Sequence, residues 1–180
     1  QAIPHPAVTY RVAPAEASGI ATGSVDLMLV AQALHWFDFD RFYTEVRRVA
    51  RPDGILAALT YGLLEVDGKI DPVLARFYTE TVGSYWPPER KWVDAGYATL
   101  PFPFEAIVPP SLTMEAEWTF PQLLGYLGTW SAVKEYRRRN GTDPLALIRD
   151  ALQDAWGESE SAKKIAWPIR MRIGRVGKKP

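Results

Sequence analysis

Cysteine is absent from the 180-residue sequence, and histidine occurs only twice, as His5 and His35. Without cysteine the chain cannot form a disulfide, use a thiolate nucleophile or build a cysteine-ligated zinc or iron–sulfur centre. Two histidines are too few for a histidine-rich metal site. The sequence therefore predicts a protein without a bound metal.

Long hydrophobic runs are also missing. No stretch approaches the ~20 apolar residues that a membrane-spanning helix needs, and no cationic leader precedes an apolar segment. Hydrophobic residues make up 47% and charged residues 23% of the chain, which is ordinary for a folded domain and argues against disorder. We expect a cytoplasmic, globular protein without a membrane partner, organised as a single domain over residues 1–180.

Net charge is absent as well, because 21 basic side chains balance 21 acidic ones. Apolar residues nevertheless alternate with bases at the end of the chain, which predicts a strand over 165–174 with one buried and one solvated face. Since a solvated strand face accounts for the bases, we predict no nucleic-acid partner. The bases that follow the last acid are Lys163, Lys164, Arg170, Arg172, Arg175, Lys178 and Lys179.

The first third of the sequence contains a strand–helix–strand pattern. A short strand is predicted at 7–12, and a nearly continuous apolar strand at 25–30, which is typical of a strand buried on both faces of a parallel sheet. A helix with an aspartate as N-cap follows over 38–50. A Pro-Asp-Gly turn at 52–54 ends the helix, and the next buried strand is predicted at 55–61. This order indicates an α/β fold with a right-handed crossover.

The remainder of the chain is predicted to be mainly helical. Apolar residues at helical spacing indicate helices within 71–100 and 119–157, which we expect to cover the active-site edge of the sheet. A strand is predicted within 106–117, and the basic strand at 165–174 closes the chain.

Several short motifs occur in the same order as in a known enzyme family. They are Ala15-Glu16, Val25-Asp26-Leu27, Gln32-Ala33-Leu34-His35-Trp36 and Arg48-Val49-Ala50-Arg51-Pro52-Asp53-Gly54. With them the chain resembles the class I S-adenosylmethionine-dependent methyltransferases, specifically the type 11 branch that includes trans-aconitate methyltransferase. Motifs such as Gly125-Tyr126-Leu127 and Ala155-Trp156-Gly157 extend the resemblance to the C-terminal half. The resemblance implies a Rossmann-like α/β sheet, mostly parallel with an antiparallel last strand, and S-adenosyl-L-methionine as cofactor.

One part of the family's pattern is absent. The family opens with a strand and a Gly-x-Gly-x-Gly loop that wraps the cofactor, whereas the first glycine here is Gly19. Two N-terminal βα units, on the order of 60 residues, are missing, which would leave sheet faces and edges exposed. We expect the C-terminal portion of a methyltransferase that is active when complete. The alternatives are a catalytically incomplete fragment that acts as a protein-interaction module, and a nucleotide-binding oxidoreductase on a similar sheet.

The resemblance implies a cofactor site at the carboxyl ends of the strands, where open α/β sheets bind their ligands. Backbone groups of Ala15 and Glu16 would meet the adenine ring, and Ala31 and Gln32 would lie along the methionine part. Trp36 would face the sulfonium or shape the substrate pocket, because an aromatic face attracts a cation.

The implied acceptor is a small molecule, with a carboxylic acid as one candidate. A carboxylate is already ionised at pH 7 and needs no general base; otherwise His35 could be that base, or a hydrogen-bonded structural residue. Tyr61, Tyr126 and Trp130 are the candidate substrate-binding residues. The run Arg137–Arg139 either binds an anion or forms a solvated surface. We expect a monomer or a homodimer.

Overall fold

The computed structural model describes residues 4–177. The chain forms two compact units. Among the described residues, the first comprises 4–59, 100–109 and 172–177, and the second comprises Thr60–Thr99 and Pro110–Met171.

A parallel strand–helix–strand arrangement forms the centre of the first unit. β1 (Val25–Ala31) pairs in parallel with β2 (Ala50–Tyr61), and α1 (Phe39–Val49) connects them. The carboxylate of Asp38 caps α1 by accepting a hydrogen bond from the backbone N–H of Arg41 at 3.2 Å. The predicted order of these elements is confirmed. The helix buries the apolar face that its spacing predicts, formed by Phe42, Val46 and Val49.

The Pro-Asp-Gly sequence does not separate α1 from β2 as predicted. β2 begins directly after α1, and residues 52–54 lie inside the strand. Val25 pairs with Ala50, whereas Leu27 pairs with Ile55, so β2 contains extra residues opposite β1. Because ladder pairing continues on both sides of it, the turn becomes a bulge within the strand.

Two predictions for the N-terminal strands are wrong. Residues 7–12 form no strand, because among residues 4–177 no strand pairs with them, and Tyr10 is 62% exposed. β1 forms, but its two faces are not both buried, since Leu27 and Leu29 are 60% and 61% exposed. β1 is the outermost strand in the sheet order, so no neighbour in the described chain covers its free edge.

β3 (Glu105–Ile107) belongs to the first unit and pairs antiparallel with the last part of β5 (Lys163–Arg175). The pairing requires glycine at position 174. A Cβ there would lie 2.7 Å from atoms of both Phe102 and Phe104, closer than a real side chain permits. The absence of a side chain at Gly174 therefore lets the aromatic pair pack against the strand.

Helices form most of the second unit. Within residues 4–177, none of the helices combines the length and the apolar composition that crossing a membrane would require. The elements of this unit, in chain order, are α2 (Ile70–Arg76), a π-helical turn at Phe77–Thr81, a 3-10 turn at Gly83–Tyr85, α3 (Arg90–Asp94), β4 (Leu112–Trp118), α4 (Phe120–Leu127), α5 (Ser131–Asn140), a 3-10 turn at Pro144–Leu147 and α6 (Arg149–Trp156).

The single strand predicted within 106–117 is replaced by two short strands, β3 and β4. Pro109 and Pro110 lie between them, and proline cannot donate a ladder hydrogen bond. β4 pairs antiparallel with the first part of β5.

The strands follow the order β1-β2-β5-β3, with β4 also paired to β5. The β1–β2 pair is parallel, and β5 runs antiparallel to both β3 and β4. The predicted α/β sheet with an antiparallel last strand is therefore confirmed.

β5 has the two-faced character that its alternating sequence predicts. Ile165 and Trp167 are 0% and 2% exposed and lie in the apolar core of the second unit, where α4 and α6 also bury side chains. Lys163 and Lys164 instead form ion pairs with carboxylates at 3.1 and 2.8 Å. Lys164, Arg170 and Arg175 are exposed, as the solvated-face interpretation predicts, whereas Lys163 and Arg172 are half-buried. Lys178 and Lys179 lie outside the described residues.

Candidate functional site

The chain leaves β1 through an unusual backbone conformation at Gln32. Its φ is +52°, in the left-handed region that non-glycine residues rarely adopt, and its N–H donates to the carbonyl of Leu59 in β2 at 2.9 Å. Such a conformation costs of order 1–3 kcal/mol, and pairing between the two strand ends holds it in place. The turn leaves Ala31 exposed at the carboxyl end of β1, the edge at which open α/β sheets bind ligands.

A cavity of about 410 Å³ opens beside β1 in the first unit. Ala15 and Ala31, two of the predicted cofactor-binding residues, both line it, and the rest of its wall is mainly apolar. Ser18 and Glu45 are the polar side chains among its lining residues, and their hydroxyl and carboxylate bind each other at 2.6 Å. Its volume is that of a small-molecule site.

The other predicted cofactor-binding residues, Glu16, Gln32 and Trp36, do not line this cavity. The Glu16 carboxylate accepts a hydrogen bond from the backbone N–H of Asp38 at 3.1 Å. Glu16 therefore ties the loop before β1 to the start of α1, and its contact with adenine remains a prediction.

His35 and Trp36 lie in a short 3-10 turn just beyond Gln32. Their rings contact each other, with centroids 4.8 Å apart, but their exposure differs sharply: His35 is 7% exposed and Trp36 56%. An indole that exposed can receive a ligand, whereas the buried imidazole has little access to one.

A strong electrostatic contact stabilises the wall of the cavity. Hydrogen bonds from the Arg48 guanidinium and from Ser18 to Glu45 lower the pKa of this carboxyl from 4.5 to about 2, and burial opposes them only in part. Glu45 is therefore a charged structural anchor at neutral pH, not a general acid.

The predicted substrate-binding residues lie in the second unit. Tyr126 and Trp130 contact each other, with ring centroids 6.1 Å apart, and the Tyr126 hydroxyl accepts a hydrogen bond from the Trp167 indole at 3.2 Å. The pKa of Tyr126 is raised above its ordinary value, chiefly by burial. The indoles of Trp167 and Trp130 and the charge of Arg90 oppose this rise, whereas Tyr61 adds to it. The structure thus brings Tyr126 and Trp130 together, with Tyr61 and Arg90 within electrostatic reach.

Sequence reasoning missed Arg90, whose guanidinium contacts a tyrosine, an aspartate and a tryptophan of this unit. Its Nε donates to the hydroxyl of Tyr78 at 2.6 Å, and that hydroxyl donates to Asp94 at 2.5 Å. Its guanidinium lies 4.5 Å from the centre of the Trp86 ring. The spacing of Arg90 and Asp94, one helical turn apart, is the only part of this arrangement visible in the sequence.

Each arginine of the run in α5 pairs with a carboxylate. Arg137 donates to both oxygens of Asp143 at 3.0 Å, and Arg138 and Arg139 bind Glu135 at 2.7 and 2.6 Å. This pairing favours the solvated-surface interpretation over anion binding. Within the described chain, no three His, Cys, Asp or Glu side chains gather as a metal site would require.

Comparisons with known proteins agree with the resemblance noted above. The "Methyltransferase domain" family matches residues 1–58. A solved structure provisionally named a type II methyltransferase, from Anaeromyxobacter dehalogenans, is 52% identical and superimposes with a TM-score of 0.91, covering 99% of this chain and 76% of that one.

A curated relative from Dictyostelium discoideum, provisionally named a methyltransferase, is 33% identical over 174 residues. The match covers 93% of this chain, and the chain spans 66% of the relative's length. High identity over nearly the whole chain, together with the near-identical fold of the solved structure, establishes the relationship. The chain belongs to the class I S-adenosylmethionine-dependent methyltransferases.

Proposed function

We propose that this chain takes part in methyl transfer from S-adenosyl-L-methionine to a small carboxylic acid, with a methyl ester as product. The first unit holds the cofactor and the second unit holds the acceptor. The observation that carries the acceptor assignment is the hydroxyl of Tyr126. It accepts from the Trp167 indole at 3.2 Å, and we assign its own hydrogen to an acceptor oxygen.

The cofactor assignment is supported by the cavity beside β1. Ala15, assigned to adenine, and Ala31, assigned to the methionine part, both line it, and the backbone turn at Gln32 lies at the adjoining strand end. Trp36 offers an exposed aromatic face, which would favour the positive sulfonium. S-adenosylmethionine supplies a methyl group on that sulfonium, which makes the methyl carbon an electrophile.

The residues of the second unit bind and orient the acceptor. Burial raises the pKa of Tyr126, so its phenol stays protonated at neutral pH and donates to the acceptor carboxylate. Trp130 and Tyr61 add half-buried aromatic surface that excludes water. The carboxylate is ionised already, so the transfer needs no proton removal, and His35 acts by packing under Trp36.

The test is calorimetric titration of the 180-residue chain with S-adenosylhomocysteine, the product form of the cofactor. Binding at one site per chain is expected. Ala31→Phe fills the cavity and should abolish the binding, whereas Ala146→Phe, at an exposed position in the second unit, should leave it unchanged. A folded chain that gives no heat would contradict the proposal and favour the interaction-module alternative.

A second measurement addresses the acceptor. The chain is incubated with S-adenosylmethionine and a panel of carboxylic acids, and mass spectrometry detects products heavier by one methylene. Tyr126→Phe keeps the aromatic packing but removes the hydroxyl, so ester formation should fall by about tenfold or more. Esterification that is unaffected by this change would remove Tyr126 from the acceptor site.

A further inference from the structure

We infer that Arg90 binds the carboxylate of the acceptor and favours acceptors whose carboxylate is carried on an unsaturated or aromatic framework. This inference rests on the proposed function and assigns the acceptor site a specificity residue outside the predicted set.

One side of the Arg90 guanidinium is fixed by the protein. Nε donates to the Tyr78 hydroxyl at 2.6 Å and lies 3.3 Å from Oδ1 of Asp94. Burial and the hydrogen bond to Asp94 raise the pKa of Tyr78, so this phenol keeps its proton and the three groups remain connected at neutral pH. The plane of the guanidinium is thereby set before any ligand arrives.

The other side of the guanidinium is available. In the described part of the chain, the hydrogen bonds of Arg90 all run from Nε, and no buried side-chain nitrogen or oxygen is left without a partner. Nη1 and Nη2 must therefore reach solvent, although the side chain as a whole is only 18% exposed. Two parallel N–H groups on a fixed plane match the two oxygens of a carboxylate.

Aromatic side chains border this anion-binding edge. The guanidinium lies 4.5 Å from the centre of the Trp86 ring. The ring centroids of Trp86 and Trp130 are 5.6 Å apart, and Trp130 in turn contacts Tyr126. All of these rings are half-buried. An acceptor with a flat apolar body gains contact area here that a small hydrophilic acid does not.

Arg90 also differs from the other arginines considered for this role. Arg137 is bound in bidentate fashion by Asp143, and Arg138 and Arg139 share Glu135. Arg90 contacts Asp94 through Nε only, at 3.3 Å, which leaves its carboxylate-matching edge unconsumed within the described chain. Arg139 also uses only Nε, but its side chain is 55% exposed, against 18% for Arg90.

The experiment compares three probes by calorimetric titration of the 180-residue chain: benzoate, its uncharged analogue benzamide, and acetate. Benzoate should bind at least about tenfold more tightly than either of the others, because only benzoate offers both a charge and a flat apolar ring. Equal binding of benzoate and benzamide, or no benzoate binding by the folded chain, would overturn the inference.

Variants locate the effect at Arg90. Arg90→Gln should weaken benzoate binding by about 10- to 100-fold. Lys91→Gln removes an exposed charge from the neighbouring position of α3, and benzoate affinity should change by less than about twofold. Arg90→Lys keeps the charge but not the planar fork, and an intermediate loss is expected even if Arg90→Gln fails to fold. Benzoate affinity in Arg90→Lys equal to that of Lys91→Gln would overturn the inference.

The same samples separate this inference from the proposed function. S-adenosylhomocysteine binding should be unchanged in the Arg90 variants, because its site is assigned to the first unit. If the unsubstituted chain does not bind S-adenosylhomocysteine, the proposed function is contradicted. Arg90-independent binding of benzoate, with S-adenosylhomocysteine binding intact, would contradict the specificity assignment alone.

Discussion

The carboxylate of Glu45 in α1 accepts two hydrogen bonds from Ser18, one from the side-chain hydroxyl at 2.6 Å and one from the backbone N–H at 2.9 Å. Arg48 binds the same carboxylate through Nε and Nη2, each at 2.7 Å. Together these contacts hold the loop that contains Ala15 and Glu16 against the helix. The position of this loop against α1 therefore depends on the ionised carboxylate of Glu45.

Glu45 should make the stability of the chain depend on acid pH. Because its pKa is about 2 in the folded chain and 4.5 ordinarily, its contribution is fully present above pH 4.5 and is lost as the pH falls through about 2. Glu45→Gln should lower the free energy of unfolding at pH 7 by about 1–2 kcal/mol, and the gap should close near pH 2. Urea denaturation at several pH values measures both effects.

Glu135 provides the control for this prediction. Arg138 and Arg139 lower its pKa to about 2 as well, but its side chain is 27% exposed and the three residues lie on the surface of α5. Glu135→Gln should therefore have a smaller effect, because solvent screens the surface pairs. Equal pH profiles for the two variants would show that the Ser18–Glu45 contact does not stabilise the loop.

The strained residue Gln32 should matter more for ligand binding than for folding. Gln32→Gly removes the side chain while permitting the same backbone conformation, and S-adenosylhomocysteine affinity should fall by about tenfold. Asp53, with φ +64°, also holds a left-handed conformation but lies in the bulge of β2. Asp53→Gly should leave the affinity unchanged. A similar loss in both variants would indicate a general effect on the sheet.

The arginine run of α5 should be irrelevant to anion binding. The double variant Arg138→Gln with Arg139→Gln removes two charges that the Glu135 carboxylate already pairs. Benzoate affinity, measured by calorimetry, should change by less than about twofold. A loss comparable with that of Arg90→Gln would show that the run supplies the carboxylate-binding group.

The exposed apolar face of β1 should cause self-association of the 180-residue chain. Leu29 is 61% exposed on a strand at the edge of the sheet, where unpaired backbone groups can pair with another chain. Leu29→Lys should reduce concentration-dependent association in light-scattering measurements. Leu147→Lys is the matched control, since Leu147 is 66% exposed but lies in a 3-10 turn. If both variants reduce association equally, general hydrophobicity rather than the strand edge is responsible.

Local sequence signals predicted most of the regular elements. The aspartate cap and the apolar spacing predicted α1, and the period-two alternation predicted β5. At the start of α4, Gln122 caps the helix by accepting a hydrogen bond from the Thr119 backbone N–H at 2.8 Å. These features depend on residues a few positions apart. Sequence motifs in order along the chain also predicted the family correctly.

Tertiary structure decided what depends on partners distant in sequence. Residues 7–12 have the composition of a strand but form none, because a strand requires a neighbour to pair with. The burial of β1 likewise depends on what lies beside it, so its apolar run did not determine that Leu27 and Leu29 are exposed.

The candidate site divides in the same way. The position of Ala31 and Gln32 at a strand end follows from the sequence order of strand and loop. The role inferred for Arg90 does not, because its partner Tyr78 lies 12 residues earlier in a different helical segment. From the sequence alone, a single arginine is expected to be a surface charge. Only the packing of Tyr78, Asp94 and Trp86 around the guanidinium distinguishes Arg90 from the paired arginines of α5.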